Sequence, residues 1–119
     1  SDVYKRQTIE DGKQVADKLL SLPEDHRPDA VFTSSDEVAS GILERYLEKG
    51  KRVPEDLAIM GFDNQPFTGM LAVPLTTIAQ PVEALGKEST NWLIAKMEEK
   101  DYQLDETELA LKLIIRKSA

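Results

Sequence analysis

Leu57-Ala58-Ile59-Met60-Gly61-Phe62-Asp63-Asn64 is an unbroken apolar run that ends on a carboxylate and an amide. Led in by the polar turn Val53-Pro54-Glu55-Asp56, it reads as a strand covered on both faces. Upstream, Asp29-Ala30-Val31-Phe32-Thr33 has the same character. Between the two runs lie the hydroxyls and carboxylates of Ser34-Ser35-Asp36-Glu37, which can cap a helix, then Val38, Ala39, Ile42, Leu43, Tyr46 and Leu47 at helical spacing. Gly50 can close that helix in the left-handed conformation. Strand, helix and strand in this order imply a parallel pair with a right-handed crossover, so the fold class is α/β.

The flanks extend the pattern. Thr8 with Asp11 resembles a capping box, and Ile9, Gly12, Val15, Ala16, Leu19 and Leu20 predict a helix over about 9–21, which Pro23 and Pro28 prevent from continuing. Downstream, Asn64, Pro66 and Gly69 allow a loop with at most a short helix before Leu75-Thr76-Thr77-Ile78-Ala79, a third strand. Pro81 can start a helix with Val82, Leu85, Ser89, Trp92, Leu93 and Met97 along one side and Glu83, Lys87, Glu88 and Lys96 toward solvent. Residues 98–108 read as a solvated acidic loop, and Leu109 to Ile115 as a last strand.

Composition narrows the function. With 22 acidic and 15 basic residues among 119, the net charge of −7 disfavours contact with a phosphate backbone. The chain has no cysteine and a single histidine, His26, which sits in a loop of prolines and charges, so no thiolate or imidazole metal site and no cofactor is expected. No apolar stretch reaches the roughly 18 residues of a membrane span.

In open α/β sheets, ligands bind at the carboxyl ends of the strands. Ser34, Ser35 and Asp36 follow the first strand, Asp63 and Asn64 the second, and Gln80 the third. Carboxylates and amides can serve neighbouring hydroxyls of a polyol. Ser34, Ser35 and Asp36 can equally be mere caps of the next helix. The pair Asp36 and Asp63 admits a glycoside hydrolase. No nucleophile elbow, usable Ser/His/Asp set, phosphate loop or zinc motif accompanies them, so no catalytic function is expected.

The succession PDAVFTSSDEVASG, GKRVPEDLAIMGFDN, VPLTTIAQP and LKLIIRKS, in order from about Thr8 to Ser118, resembles the C-terminal half of the effector-binding module of LacI/GalR transcriptional repressors, with the catabolite control protein branch nearest. The resemblance implies a parallel three-layer α/β sandwich, one lobe of a periplasmic-binding-protein-like (type I) fold spanning 8–80 and 109–118, with a helix over 81–99 belonging to the other lobe. Residues 1–7 do not fit the pattern and read as a non-native leader. The resemblance assigns Ser35, Asp36, Asp63 and Gln80 to an effector cleft, the effector being a sugar or sugar phosphate. It assigns Val38, Ser40, Ile42, Phe67, Met70 and Leu71 to a homodimer surface, and DNA binding to a separate helix-turn-helix head in a cytoplasmic regulator. A sugar-binding receptor of a transport system is the alternative on the same fold. Without the other lobe, the chain is expected to bind sugars weakly and to self-associate through the helix after Gln80.

Overall fold

In a computed structural model, residues 7–119 are described; apart from Gln7, the segment read as a leader lies outside them. Among the described residues the chain divides into two compact units, one running up to Ile78 and including Leu113–Ala119, the other Ala79–Lys112.

The first unit opens with α1, Ile9–Leu20, whose N-terminus carries the expected capping box: Thr8 Oγ1 accepts from Asp11 N, and Asp11 Oδ2 accepts from Thr8 N at 2.8 Å. Strand β1, Ala30–Phe32, leads into α2, Asp36–Glu48, with Ser35 at the N-cap, and then into β2, Ala58–Met60. β1 and β2 pair in parallel with Val31 opposite Ile59, as the strand-helix-strand order requires. Gly50 ends the α2 region at φ 74°. A 3-10 turn at Pro66–Met70 precedes β3, Thr77–Ala79, and β4 is Lys112–Ile114. β3 and β4 form a second two-stranded sheet, and a parallel bridge joins Met60 to Thr76.

The strands are shorter than the apolar runs that announce them. Ser118 inserts beside β2: Ile59 N donates to Ser118 O at 2.8 Å, and the Ser118 hydroxyl donates to Ile59 O while accepting from Thr76 N. β1 also departs from the buried strand expected, since Phe32 is 60% exposed. Among the described strands β1 pairs only with β2, which leaves it at a sheet edge.

The core is formed by Ala16, Ala39, Ile42, Leu43, Tyr46, Val53, Leu57, Ile59 and Leu75. α1 lies directly on α2 where Gly12 faces Gly41; a Cβ on Gly12 would run into the Val38 carbonyl oxygen, and one on Gly41 into that of Ile9. This contact places the expected dimer residues Val38, Ser40 and Ile42 differently. Ile42 is 1% exposed in the core, Ser40 is buried with its hydroxyl donating to Glu37 O, and Val38 packs against the core from the α2 side. Ser40 and Ile42 are thus taken up in the chain's own packing.

In the second unit, α3 runs Val82–Met97. Trp92, Leu93 and Met97 are exposed, whereas Glu88, expected in solvent, is buried and accepts from the Tyr102 hydroxyl and from Asp105 N. The acidic segment after α3 is thus anchored through a carboxylate that pattern alone assigns to the wet face. Among the described residues no helix is long and apolar enough to cross a membrane.

Candidate ligand-binding corner

Where β2 ends, the chain turns through Asp63 at φ 114° and Asn64 at φ 55°. Asn64 is in the left-handed region that asparagine tolerates, but Asp63 occupies a region that favours glycine, a conformation costing about 1–3 kcal/mol that persists only where the surroundings enforce it. The surroundings here are explicit. Asp63 N donates to Ile78 O at 2.7 Å, Asn64 N to Thr77 Oγ1 at 3.2 Å, and Gln65 N to Asp36 Oδ2 at 2.7 Å. The corner holds the Asp63 side chain at the surface, at the carboxyl end of the strand.

Asp36 is the reverse case. It has no exposed surface; Oδ1 accepts the Thr77 hydroxyl at 2.7 Å and Oδ2 the Gln65 amide. Gly61 lies so close that a Cβ there would strike Asp36 Oδ1. The expectation that Asp36 contacts a ligand is therefore corrected: its carboxylate ties the first turn of α2 to β3 and to the loop after Asp63. The same burial removes the geometry that a two-carboxylate hydrolase needs, since one of its acids cannot meet a substrate. Ser35 is half-buried and its hydroxyl caps α2 by accepting from Val38 N at 3.2 Å. Ser34 is exposed and donates to Gln7 Oε1 at 2.7 Å.

Gln80 belongs to the second unit, where it is exposed and lines a recess with Glu83, Thr107, Glu108 and Lys112. Sequence reasoning grouped it with Asp63 by its place after the third strand and by the resemblance. Three contributors went unnoticed. Thr77 and Gln65 were passed over because a threonine in a strand and a glutamine in a loop carry no pattern of their own. Arg116 entered only as part of the LKLIIRKS block that carries the resemblance, yet its guanidinium reaches Asn64 Oδ1 at 3.0 Å. Of the expected dimer residues, Met70 is 80% exposed and Phe67 and Leu71 are half-buried, all on or beside the 3-10 turn that follows the corner. Among the described residues no group of His, Asp or Glu side chains could hold a metal ion.

A family model for the periplasmic binding protein-like domain matches residues 2–119. The chain belongs to that family. Within it, the chain is 38% identical over 109 residues to the HTH-type transcriptional repressor PurR of Mannheimia succiniciproducens, a match that covers 92% of this chain and 32% of that protein. A LacI family transcriptional regulator from Lactobacillus casei, solved with bound glucose, superposes with a TM-score of 0.81 at 42% identity, covering 95% of this chain and 40% of that one. The transcription regulator CcpA of Lactococcus lactis follows with a TM-score of 0.77 at 31% identity, covering 95% and 40%. The resemblance to LacI-type repressors read from the sequence is thereby established, as is the α/β periplasmic-binding-protein-like fold. The chain spans about a third of the length of the curated repressors it matches.

Proposed function

We propose that this chain is one wall of the effector cleft in a ligand-responsive transcriptional regulator, and that Asp63 is its principal contact with a sugar-like ligand. The observation that carries the reading is an exposed carboxylate held at the end of a sheet strand in a backbone conformation that its residue type disfavours. Strain of this kind collects where a side chain must be presented to something. A carboxylate there can accept two hydroxyl hydrogen bonds at once, and charge-assisted bonds are the stronger kind. The glucose bound by the Lactobacillus casei regulator, whose fold this chain shares, supports a polyol as the ligand class.

In this reading Gln80 and Ser35 are secondary contributors, and no cofactor takes part. DNA is engaged through a separate head, since a net charge of −7 disfavours contact of this chain with a phosphate backbone. Self-association uses the Phe67-Met70-Leu71 surface next to the corner. The regulator works in the cytoplasm, where its operator is.

Calorimetric titration of the regulator carrying this chain with glucose and with ribose tests the proposal. The expected result is saturable binding of at least one sugar that Asp63→Ala weakens by more than tenfold, the scale of a lost charge-assisted pair. Binding that survives Asp63→Ala unchanged removes Asp63 from the cleft.

A further inference from the structure

The corner that presents Asp63 is gripped from a distant part of the chain. Arg116 lies 52 residues beyond Asn64, and its guanidinium donates through Nη2 to Asn64 Oδ1 at 3.0 Å. Through Nη1 it donates to Thr68 Oγ1 at 2.9 Å and to Leu75 O at 2.8 Å. Its backbone N–H donates to Thr76 Oγ1 at 2.9 Å, which fixes where the side chain starts. Thr68 passes the contact on. Fully buried, it accepts from Arg116 and gives its own proton to Gln65 O at 2.7 Å. The peptide of Gln65 is thus held from both ends, by Thr68 on its carbonyl and by Asp36 on its N–H.

We propose that Arg116 is a positioning residue for the effector: its guanidinium, acting through Asn64 and Thr68, sets the backbone geometry in which Asp63 meets its ligand. The proposal rests on the effector-cleft reading above. All three guanidinium acceptors are neutral oxygens, so the residue is placed here by the shape of its donors rather than by charge pairing. The acceptors diverge, and a planar fork with donors on two nitrogens reaches them together. A lysine ammonium has its three donors at a single point and cannot span the same set. Effector affinity is then sensitive to the segment before Ser118, which is itself tied into β2 through the Ile59–Ser118 bonds.

The test compares the regulator carrying this chain with its Arg116→Lys, Arg116→Gln and Asn64→Gly variants. Each is titrated with glucose and ribose by calorimetry, and amide hydrogen exchange is followed at Asn64, Gln65 and, as a reference, Leu43 in α2. The expected result is exchange at Asn64 and Gln65 faster by about tenfold in both Arg116 variants, with Leu43 unchanged, and sugar affinity lowered by about tenfold, the scale of lost bonds to a charged donor. Asn64→Gly keeps the left-handed backbone accessible while deleting the acceptor; it folds and shows the same loss to a lesser degree. Two results overturn the proposal: full rescue of affinity by Arg116→Lys, or exchange that rises equally at Leu43 and at the corner. If the unaltered protein binds neither sugar, the sugar reading fails, and the exchange at Asn64 and Gln65 still decides whether Arg116 positions the corner.

Discussion

The Thr77 hydroxyl donates to Asp36 Oδ1 at 2.7 Å, and the same Thr77 oxygen accepts the Asn64 amide at 3.2 Å. A side chain from β3 therefore bridges the start of α2 to the corner after β2, and all three elements meet on a carboxylate with no access to water. Removing that carboxylate strands the Thr77 hydroxyl and the Gln65 N–H in the interior, at about 1–3 kcal/mol for each unsatisfied group. Asp36→Ala is expected to lower unfolding free energy by about 3–5 kcal/mol in urea titration. Asp36→Asn, which keeps an acceptor for only one of the two donors, is expected to lose about half of that. A loss under 1 kcal/mol for Asp36→Ala contradicts the assignment.

Glycines at two positions make opposite predictions. A Cβ on Gly12 would collide with the Val38 carbonyl and approach Gly41 Cα at 2.9 Å, so α1 must move off α2. Gly12→Ala is expected to destabilise by about 3 kcal/mol, the upper range for an overpacked contact. Gly86 lies inside α3 with open space around it, and there Ala gains about 1 kcal/mol of helix propensity. Thermal melts of the two variants moving in the same direction would be inconsistent with this packing.

Arg52 and Asp56 set a pH dependence. The Asp56 carboxyl is held below the ordinary carboxylate range, first by the Arg52 side chain bonding it at 3.1 Å and then by the Arg52 backbone N–H at 2.6 Å. Because the folded value lies under the unfolded one of about 3.9, the stabilisation is fully present above about pH 4 and is lost as pH falls through the folded value. Arg52→Ala is expected to bring the Asp56 carboxyl up toward its ordinary value in a carbon-13 NMR titration. Both groups are exposed, so stability between pH 5 and pH 7 is expected to stay flat in the variant.

The fold was largely legible because its signals are local. Thr8 and Asp11 announce α1, Ser35 caps α2, Gly50 closes it, and the apolar runs around Val31 and Ile59 can only pair in parallel once a helix lies between them. At the candidate corner, what was legible is the exposed position of Asp63 after the strand. Asp36 and Asp63 look alike in sequence, each an aspartate at a strand end. What separates them is the set of donors brought in from Gln65 and Thr77, up to 41 residues away in the chain, and no local pattern encodes that. Glu88 was misread for the same reason, since its partners Tyr102 and Asp105 lie beyond the helix whose periodicity assigned it to solvent. The strand ends were overestimated because hydrophobicity does not reveal where the ladder stops.

Backbone strain and ligand contact at Asp63 can be separated by two substitutions. At φ 114° any residue with a Cβ is strained, whereas glycine adopts that angle freely. Asp63→Ala and Asp63→Gly both delete the carboxylate and whatever it contacts, so the difference between them isolates the backbone term. Asp63→Gly is expected to be more stable than Asp63→Ala by about 1–2 kcal/mol, because relief of strain outweighs the greater freedom of glycine in the unfolded chain. Both are expected to lose sugar binding. A residue retained at the expense of stability and needed for ligand is the signature of a presented contact rather than a turn former. Urea titration of the two variants beside the unaltered protein, with calorimetry for glucose and ribose, gives both quantities. If Asp63→Gly is no more stable than Asp63→Ala, the corner is not strained. If Asp63→Gly keeps full affinity for a sugar that the unaltered protein binds, the aspartate is there only to make the turn.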